Sequence, residues 1–255
     1  MPQTTTDEFE HIDLASAIAG LYAAFSGYGL VLPMNACDHC VSEDDQRLLA
    51  SKPLRDLTSE DVSFYSFKAM TTFGTVYDFK HFLPRVFELV ATDPKFGVNP
   101  EIAVGGKLEE ADWHSWPEGE QMATESYLRA FWRDTLTRFP SVVPVDACLG
   151  SIAHAVDDLT PFLCYWEAAV ERDRPGRLHL AQFVCDSIRP LREDRVLGAF
   201  WECHPERSQQ VSKWLLNSAV APKVEQSLRE FVRAPEGQER GYALEDYCEL
   251  LLRRE

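Results

Sequence analysis

The chain lacks the motifs and segments that would indicate nucleotide binding, membrane insertion or a β fold. It contains no Gly-x-Gly-x-x-Gly, Gly-Lys-Ser/Thr, Gly-x-Ser-x-Gly or His-Glu-x-x-His sequence, which are motifs of nucleotide-binding proteins, serine hydrolases and zinc proteases. The most apolar early stretch, 14–32, is interrupted by glycine and serine, so we do not expect it to span a bilayer. The only candidate strands, 29–32 and 102–104, are short.

Positive charge is also scarce. The 255 residues include 25 Lys and Arg against 41 Asp and Glu, which gives a formal net charge of −16. Residues 1–120 hold 8 basic and 20 acidic residues, whereas 121–255 hold 17 and 21. A negative field repels phosphate backbones, so we expect no nucleic-acid partner. The same field favours a basic protein surface as the partner.

Cysteine usage and the start of the sequence indicate where the protein resides. The seven cysteines are odd in number and dispersed, which argues against a disulfide framework and for reduced thiols. Residues 1–10 carry acids where an export signal needs basic residues. We therefore expect a cytoplasmic protein that is not attached to a membrane.

Apolar side chains recur with helical spacing along most of the sequence. Leu128, Phe131, Trp132 and Leu136 form one such stripe, and others follow between 76 and 251. These patterns predict an all-α fold, either a multi-helix antiparallel bundle or a short stacked array of helix pairs, HEAT-like in design. We expect one helical domain over 1–255, with a candidate sub-boundary at 112–117, where the acidic bias ends.

A Cys-x-x-Cys turn is the most conspicuous chemical motif. Cys37 and Cys40 supply two thiolates, which is half of a tetrahedral zinc site. His39 and His81 are the candidate ligands that would complete it, so the cofactor is either zinc or none. A redox pair and two thiols in a polar loop without metal are the alternative interpretations.

A second set of candidate binding residues lies further along the chain. Asp78, His81 and Arg85 share the polar face of a helix predicted over 75–92, where an Asp78–His81 hydrogen bond would favour a general base. Trp113 and Trp116 fall in a predicted loop, from which exposed indoles would anchor a partner. A solvated helix face and a small satellite core are the alternatives.

Four segments together resemble a family of uncharacterised bacterial proteins. They are 37–40, 53–58, 67–74 and 78–85, in which the Cys-x-x-Cys loop is followed by Phe-Lys-His-Phe-Leu-Pro. The resemblance implies a bacterial, cytosolic protein. It carries over no catalytic residue, because no activity is attached to that family.

Several functions remain open from the sequence. The first is an acidic helical binding module, of the adaptor or toxin-neutralising type, and the missing catalytic motifs favour it over an enzyme. The second is a zinc-binding protein or metal-dependent enzyme that uses Cys37 and Cys40. A helical enzyme whose pocket combines Asp78, His81 and His154 is a third. Salt-dependent binding would support the first, and elemental analysis would test the second.

Overall fold

The structure is a computed structural model that describes residues 9–11 and 13–253. Helices account for most of these residues, and the described ranges form no strand, so the all-α prediction is confirmed. The α-helices are α1 (Leu14–Ala24), α2 (Glu43–Ala50), α3 (Ser59–Lys68), α4 (Val76–Thr92), α5 (Lys107–Glu110), α6 (Glu118–Thr137), α7 (Val145–Ala155), α8 (Thr160–Arg172), α9 (Arg174–Arg192), α10 (Pro205–Leu215), α11 (Ala221–Phe231) and α12 (Tyr242–Leu252).

Shorter helical turns join these elements. The 3-10 helices are Leu54–Asp56, Trp113–Ser115, Ala199–Trp201 and Pro235–Arg240, and Glu101–Gly106 is a π-helix. The candidate strand at 102–104 lies inside the π-helix, and 29–32 pairs with no strand in the described ranges, so neither candidate forms a strand. Isolated bridges link Phe73 to Ala36 and to Ala69.

The described chain divides into two compact units. Residues 13–131 form one, called here the 12–131 unit, and residues 9–11 with 132–253 form the other, called the C-terminal unit. The division falls within α6, whereas the sub-boundary expected at 112–117 lies inside the 12–131 unit. None of the helices in the described ranges is long and apolar enough to cross a membrane.

Capping boxes begin three helices of the 12–131 unit. The Ser42 hydroxyl accepts from the Asp45 amide at 3.2 Å while the Asp45 carboxylate accepts from the Ser42 amide at 2.7 Å. Thr58 and Asp61 cap α3 in the same reciprocal way. These bonds satisfy amides that a helix start leaves without partners.

The amphipathic helix α4 forms the centre of the 12–131 unit. Its buried side chains include Phe79, Phe82, Leu83 and Phe87, and the helix continues through Pro84. It packs against α1, α3 and the π-helix. Each of these aromatic side chains contributes roughly 1.5–3 kcal/mol through burial.

The C-terminal unit is built around α9, which packs against α8, α11 and α12. The Trp166 ring lies 5.2 Å from Trp132, 5.5 Å from Phe183 and 5.3 Å from Trp214. Phe9 belongs to this unit because its ring stacks on Tyr165 at 4.6 Å.

Candidate binding surface and neighbouring thiol pair

Large exposed hydrophobic side chains are concentrated in the 12–131 unit. Two such residues of the described chain, Tyr242 and Leu252, lie in the C-terminal unit. The others, all in the 12–131 unit, are Val31, Leu32, Leu48, Phe64, Phe67, Val76, Tyr77 and Met122. A contiguous exposed apolar patch is a feature of interaction surfaces.

Two of these side chains lie on one face of α3. Phe64 is 41% exposed and Phe67 is 47% exposed, and Glu60 lies one turn before Phe64 on the same side. The opposite side of α3 buries Val62 and Tyr65 in the core. We call Glu60, Phe64 and Phe67 the α3 face.

Two side chains of the α3 face contact neighbouring residues. The Phe64 ring lies 6.3 Å from the buried Phe73 ring. The Lys68 ammonium lies 5.1 Å from the Phe67 ring centroid, within the range of a cation–π contact. These side chains are therefore presented to solvent from a packed helix.

The start of α3 is fixed by an ion pair as well as by its cap. Lys52 Nζ lies 2.6 Å from an Asp61 carboxylate oxygen, and the Thr58 amide donates to the same oxygen at 2.7 Å. The Lys52 hydrogen bond, followed by that of the Thr58 amide, lowers the pKa of Asp61 to about 2. The carboxylate stays ionised at any neutral or mildly acid pH.

Acidic residues outnumber basic ones two to one in this unit. Residues 12–131 contain 18 Asp and Glu and 9 Lys and Arg, a net charge of −9. The side chains of Glu43 and Asp44 at the start of α2 are 85% and 88% exposed, although both contact Arg47. The α3 face therefore lies in an acidic unit.

The Cys-x-x-Cys segment forms a tight turn just before α2. The amides of Cys40 and Val41 donate to the Cys37 carbonyl oxygen at 2.9 and 3.0 Å. Cys40 is exposed and Cys37 is half-buried. Cys37 and Cys40 are the first and fourth residues of one hydrogen-bonded turn.

The environment separates the pKa values of the two thiols. Hydrogen bonds from the His39 amide, the Cys40 thiol and the Cys40 amide lower the pKa of Cys37. The pKa of Cys40 is raised, because its thiol donates to Cys37 and lies beside that sulfur's charge. Thiolate character therefore concentrates on Cys37.

The four residues predicted as metal ligands are not all brought together. Cys37, His39 and Cys40 share the turn, whereas His81 lies on α4 with its Nδ1 2.8 Å from the Tyr28 carbonyl oxygen. Within the described ranges, no third histidine, cysteine or carboxylate ligand atom lies close to both thiols. The turn offers two of the four ligands that a closed zinc site needs.

His81 instead lines a cavity of about 320 Å³ in the 12–131 unit. The Arg55 guanidinium lies 3.6 Å from the Tyr22 ring centroid at this cavity, and it makes no hydrogen bond or ion pair within the described part of the chain. The Tyr22 hydroxyl donates to Glu88 at 2.6 Å. Burial first, and then Glu88, raise the pKa of Tyr22.

Asp78 and Arg85 bond to groups other than His81. Asp78 is buried at the start of α4, where its carboxylate accepts from the Thr75 amide and hydroxyl, both at 2.8 Å. Arg85 donates to the Leu57 carbonyl oxygen at 2.7 Å and to Glu88 at 2.8 Å. This helix face is internally bonded, and the hydrogen bond predicted between Asp78 and His81 is replaced by these contacts.

The two indoles predicted to contact a partner are buried instead. Trp113 is 2% exposed and Trp116 is 5% exposed. The Trp116 indole donates to the Ala111 carbonyl oxygen at 3.1 Å, and Lys80 lies 4.4 Å above its ring. Neither side chain can anchor a partner from this position.

A buried ion pair that no sequence pattern indicated lies next to Trp116. Lys80 Nζ is 2.6 Å from Glu120, and both residues are less than 10% exposed. The Tyr28 hydroxyl donates to the other Glu120 oxygen at 2.6 Å. The two charges are forty positions apart, so no local spacing connects them.

The histidines of the C-terminal unit also bond within their own unit. His204 Nε2 lies 3.2 Å from His154 Nδ1, and His154 Nε2 lies 2.8 Å from the Phe200 carbonyl oxygen. Arg207 contacts His204 and binds Asp157 at 2.7 Å. His154 thus belongs to a different unit from Asp78 and His81.

The fold and these surfaces define an all-α protein with an exposed apolar face in an acidic unit. Comparison with protein-family models, with curated proteins and with solved structures finds no significant match.

Proposed function

We propose that this protein is a binding module whose α3 face docks a cationic, amphipathic segment of a partner protein. The observation that carries the proposal is the exposure of Phe64 and Phe67 on one face of a packed helix, in a unit of net charge −9. Apolar anchors in an acidic field fit a partner that presents apolar side chains among Lys and Arg.

The contact between Lys68 and Phe67 supports the choice of a cationic partner. This ring already accepts an ammonium group of its own chain at 5.1 Å. A Lys or Arg of the partner can make the same kind of contact with Phe64 or Phe67, while its aliphatic neighbours cover the rest of the rings.

Charge also argues against two other occupants. A second copy of this chain would bring together two surfaces from proteins of net charge −16, and like charges oppose that association. A nucleic acid would present phosphates to the same acidic unit. A basic protein segment is the occupant that gains from the field.

Titration with a defined probe tests the proposal. The probe is a synthetic amphipathic helix of Lys and Leu, about 18 residues or five turns long, with a Glu and Leu peptide of the same pattern as its charge control. Binding is measured by calorimetry on the full chain. We expect saturable binding of the Lys peptide, weakened at least about 10-fold between about 0.05 and about 0.5 M NaCl, and no binding of the Glu peptide.

A matched pair of variants separates docking from simple charge attraction. Phe64→Ser with Phe67→Ser removes two anchors, each contributing roughly 1.5–3 kcal/mol when buried, so affinity should fall at least about 10-fold. Tyr242→Ser with Leu252→Ser removes the exposed hydrophobic side chains of the C-terminal unit and should leave affinity unchanged. Equal affinity of both double variants for the Lys peptide would overturn the proposal. A wild-type dimer that is lost in the Phe64→Ser, Phe67→Ser variant would also overturn it, because a second copy of the chain would then occupy the α3 face.

A further inference from the structure

The Cys37–Cys40 turn combines proximity, access and order in a way that no other cysteine of the chain does. Its two cysteines are the first and fourth residues of a turn closed by the Cys40 amide and the Cys37 carbonyl oxygen, and Cys40 is exposed. Cys148 and Cys185 are buried, and burial raises the pKa of Cys185 to about 11. The remaining cysteines are Cys164, Cys203 and Cys248, and no contact with a second sulfur is found for them in the described ranges.

Backbone hydrogen bonds to residues 72–74 hold the start of this turn. The Cys37 amide donates to the Thr72 carbonyl oxygen at 2.9 Å, and the Gly74 amide donates to the Asn35 carbonyl oxygen at 2.6 Å. Gly74 has φ +77°, in the left-handed region that glycine adopts without strain. Because the turn is already closed by hydrogen bonds, joining its sulfurs orders little additional chain.

The two thiols differ in pKa. The pKa of Cys37 is lowered, first by the His39 backbone amide, whereas the pKa of Cys40 is raised, first by the neighbouring Cys37 thiol. Cys37 therefore ionises to the thiolate more readily than Cys40 does. The arrangement gives Cys37 the role of first nucleophile and Cys40 the role of the resolving thiol.

We propose that Cys37 and Cys40 form a reversible dithiol–disulfide pair that exchanges with small-molecule disulfides. The Cys37 thiolate attacks one sulfur of the reagent, the reagent's S–S bond breaks, and one thiolate leaves with the electron pair. Cys40 then loses its proton to solvent and attacks the Cys37 sulfur, which releases the second thiolate. Two electrons pass to the reagent, whose two thiolates take up the two protons that the protein loses.

Oxidised and reduced glutathione serve as the probe. The full chain is reduced, freed of reductant and metal, equilibrated at graded glutathione ratios and alkylated with N-ethylmaleimide. Peptide mapping by mass spectrometry then reads each cysteine. We expect Cys37 and Cys40 to lose alkylation together, with loss of two hydrogens from their common peptide, and to regain it when the ratio is reversed.

Two variants test the assigned order. Cys40→Ser should stop at a mixed disulfide of Cys37 with one glutathione, because the resolving thiol is missing. Cys164→Ser, which removes an exposed thiol of the C-terminal unit, should leave the oxidation midpoint of the pair unchanged.

Three results would overturn the assignment. The first is alkylation of Cys37 and Cys40 at every glutathione ratio in the wild-type chain. The second is glutathione attached to wild-type Cys37 without ring closure. The third is stoichiometric zinc, bound by the purified protein, that blocks alkylation until a chelator removes it, which would make the thiols metal ligands. Neither peptide docking nor its failure affects these readouts.

Discussion

The two units treat charge and apolar surface differently. The C-terminal unit carries 14 of the 18 arginines, and several of those in the described ranges share ion pairs with acids. Glu230 forms ion pairs with both Arg174 and Arg177, and Arg192 forms ion pairs with Asp246 and Glu249. The guanidinium fork suits such shared pairing. The 12–131 unit has half as many cations as acids and most of the large exposed hydrophobic side chains.

We base the proposed location of recognition on this difference. In the C-terminal unit, arginines engage acids in shared ion pairs, which leaves those acids less available to a cationic partner. In the 12–131 unit, the excess of acids leaves a negative charge that no basic residue balances, and the α3 face is exposed to solvent. The two units have net charges of −7 and −9. This difference is smaller than the difference in net charge between residues 1–120 and residues 121–255. Pairing and apolar exposure therefore distinguish the units more than net charge does.

Breaking the buried ion pair of the 12–131 unit should have the largest effect. Lys80→Ala leaves Glu120 charged at 8% exposure, so we expect the free energy of unfolding to fall by about 3–5 kcal/mol. Lys80→Met with Glu120→Leu should recover most of the loss, because it leaves no unpaired buried charge. Urea denaturation followed by circular dichroism measures both. A loss below about 1 kcal/mol for Lys80→Ala would show that the pair is not desolvated as described.

Two glycines should respond with opposite signs to the same substitution. In the C-terminal unit, a Cβ on Gly176 would lie 2.7 Å from the Ala169 backbone, so Gly176→Ala should destabilise by about 1–3 kcal/mol. In the 12–131 unit, Gly20 lies within α1 with nothing within 4 Å of the added Cβ. Gly20→Ala should stabilise by about 0.5–1 kcal/mol. If Gly176→Ala and Gly20→Ala shifted the denaturation midpoint in the same direction, the packing described around these two glycines would be contradicted.

Breaking one of the shared arginine ion pairs of the C-terminal unit should have a small effect. The Arg174 side chain is 57% exposed and that of Glu230 is 29% exposed, so Arg174→Ala should change the free energy of unfolding by less than about 1 kcal/mol. Arg177 still pairs with Glu230 in that variant. A loss as large as that of Lys80→Ala would mean that these ion pairs behave as a buried network.

The smallest effect is a pH dependence carried by His179 of the C-terminal unit. Its Nε2 lies 2.8 Å from the Arg138 carbonyl oxygen, and burial lowers its pKa. The unfolded chain then binds a proton that the folded chain resists, so stability is full above about pH 6.5 and falls as pH drops below that value. His179→Gln should flatten the slope of the unfolding free energy between about pH 5 and 7. An unchanged slope would contradict the assignment.

Much of the fold followed from local sequence patterns. The capping boxes at Ser42 and Thr58 and the apolar stripe of α4 depend on residues three or four positions apart, so each can be derived from a short window. The candidate strand at 102–104 was not formed because its window is too short: three apolar residues fit a helical turn as well as a strand.

The site residues were harder to derive because their partners are distant in sequence. His81 bonds to Tyr28 and Lys80 pairs with Glu120, contacts that only tertiary packing creates. Trp113 and Trp116 sit in a polar stretch, yet folding buries both. The exposure of Phe64 and Phe67 had a weak local signal, since they share a helix with the buried Val62 and Tyr65.

Hydrogen exchange of the full chain, with and without the Lys and Leu peptide, tests the location of recognition most directly. We predict that the peptide slows amide exchange in α3 and in the adjoining residues 69–73, with little change in the C-terminal unit. Protection confined to the C-terminal unit, or spread evenly over both units, would contradict recognition through the α3 face.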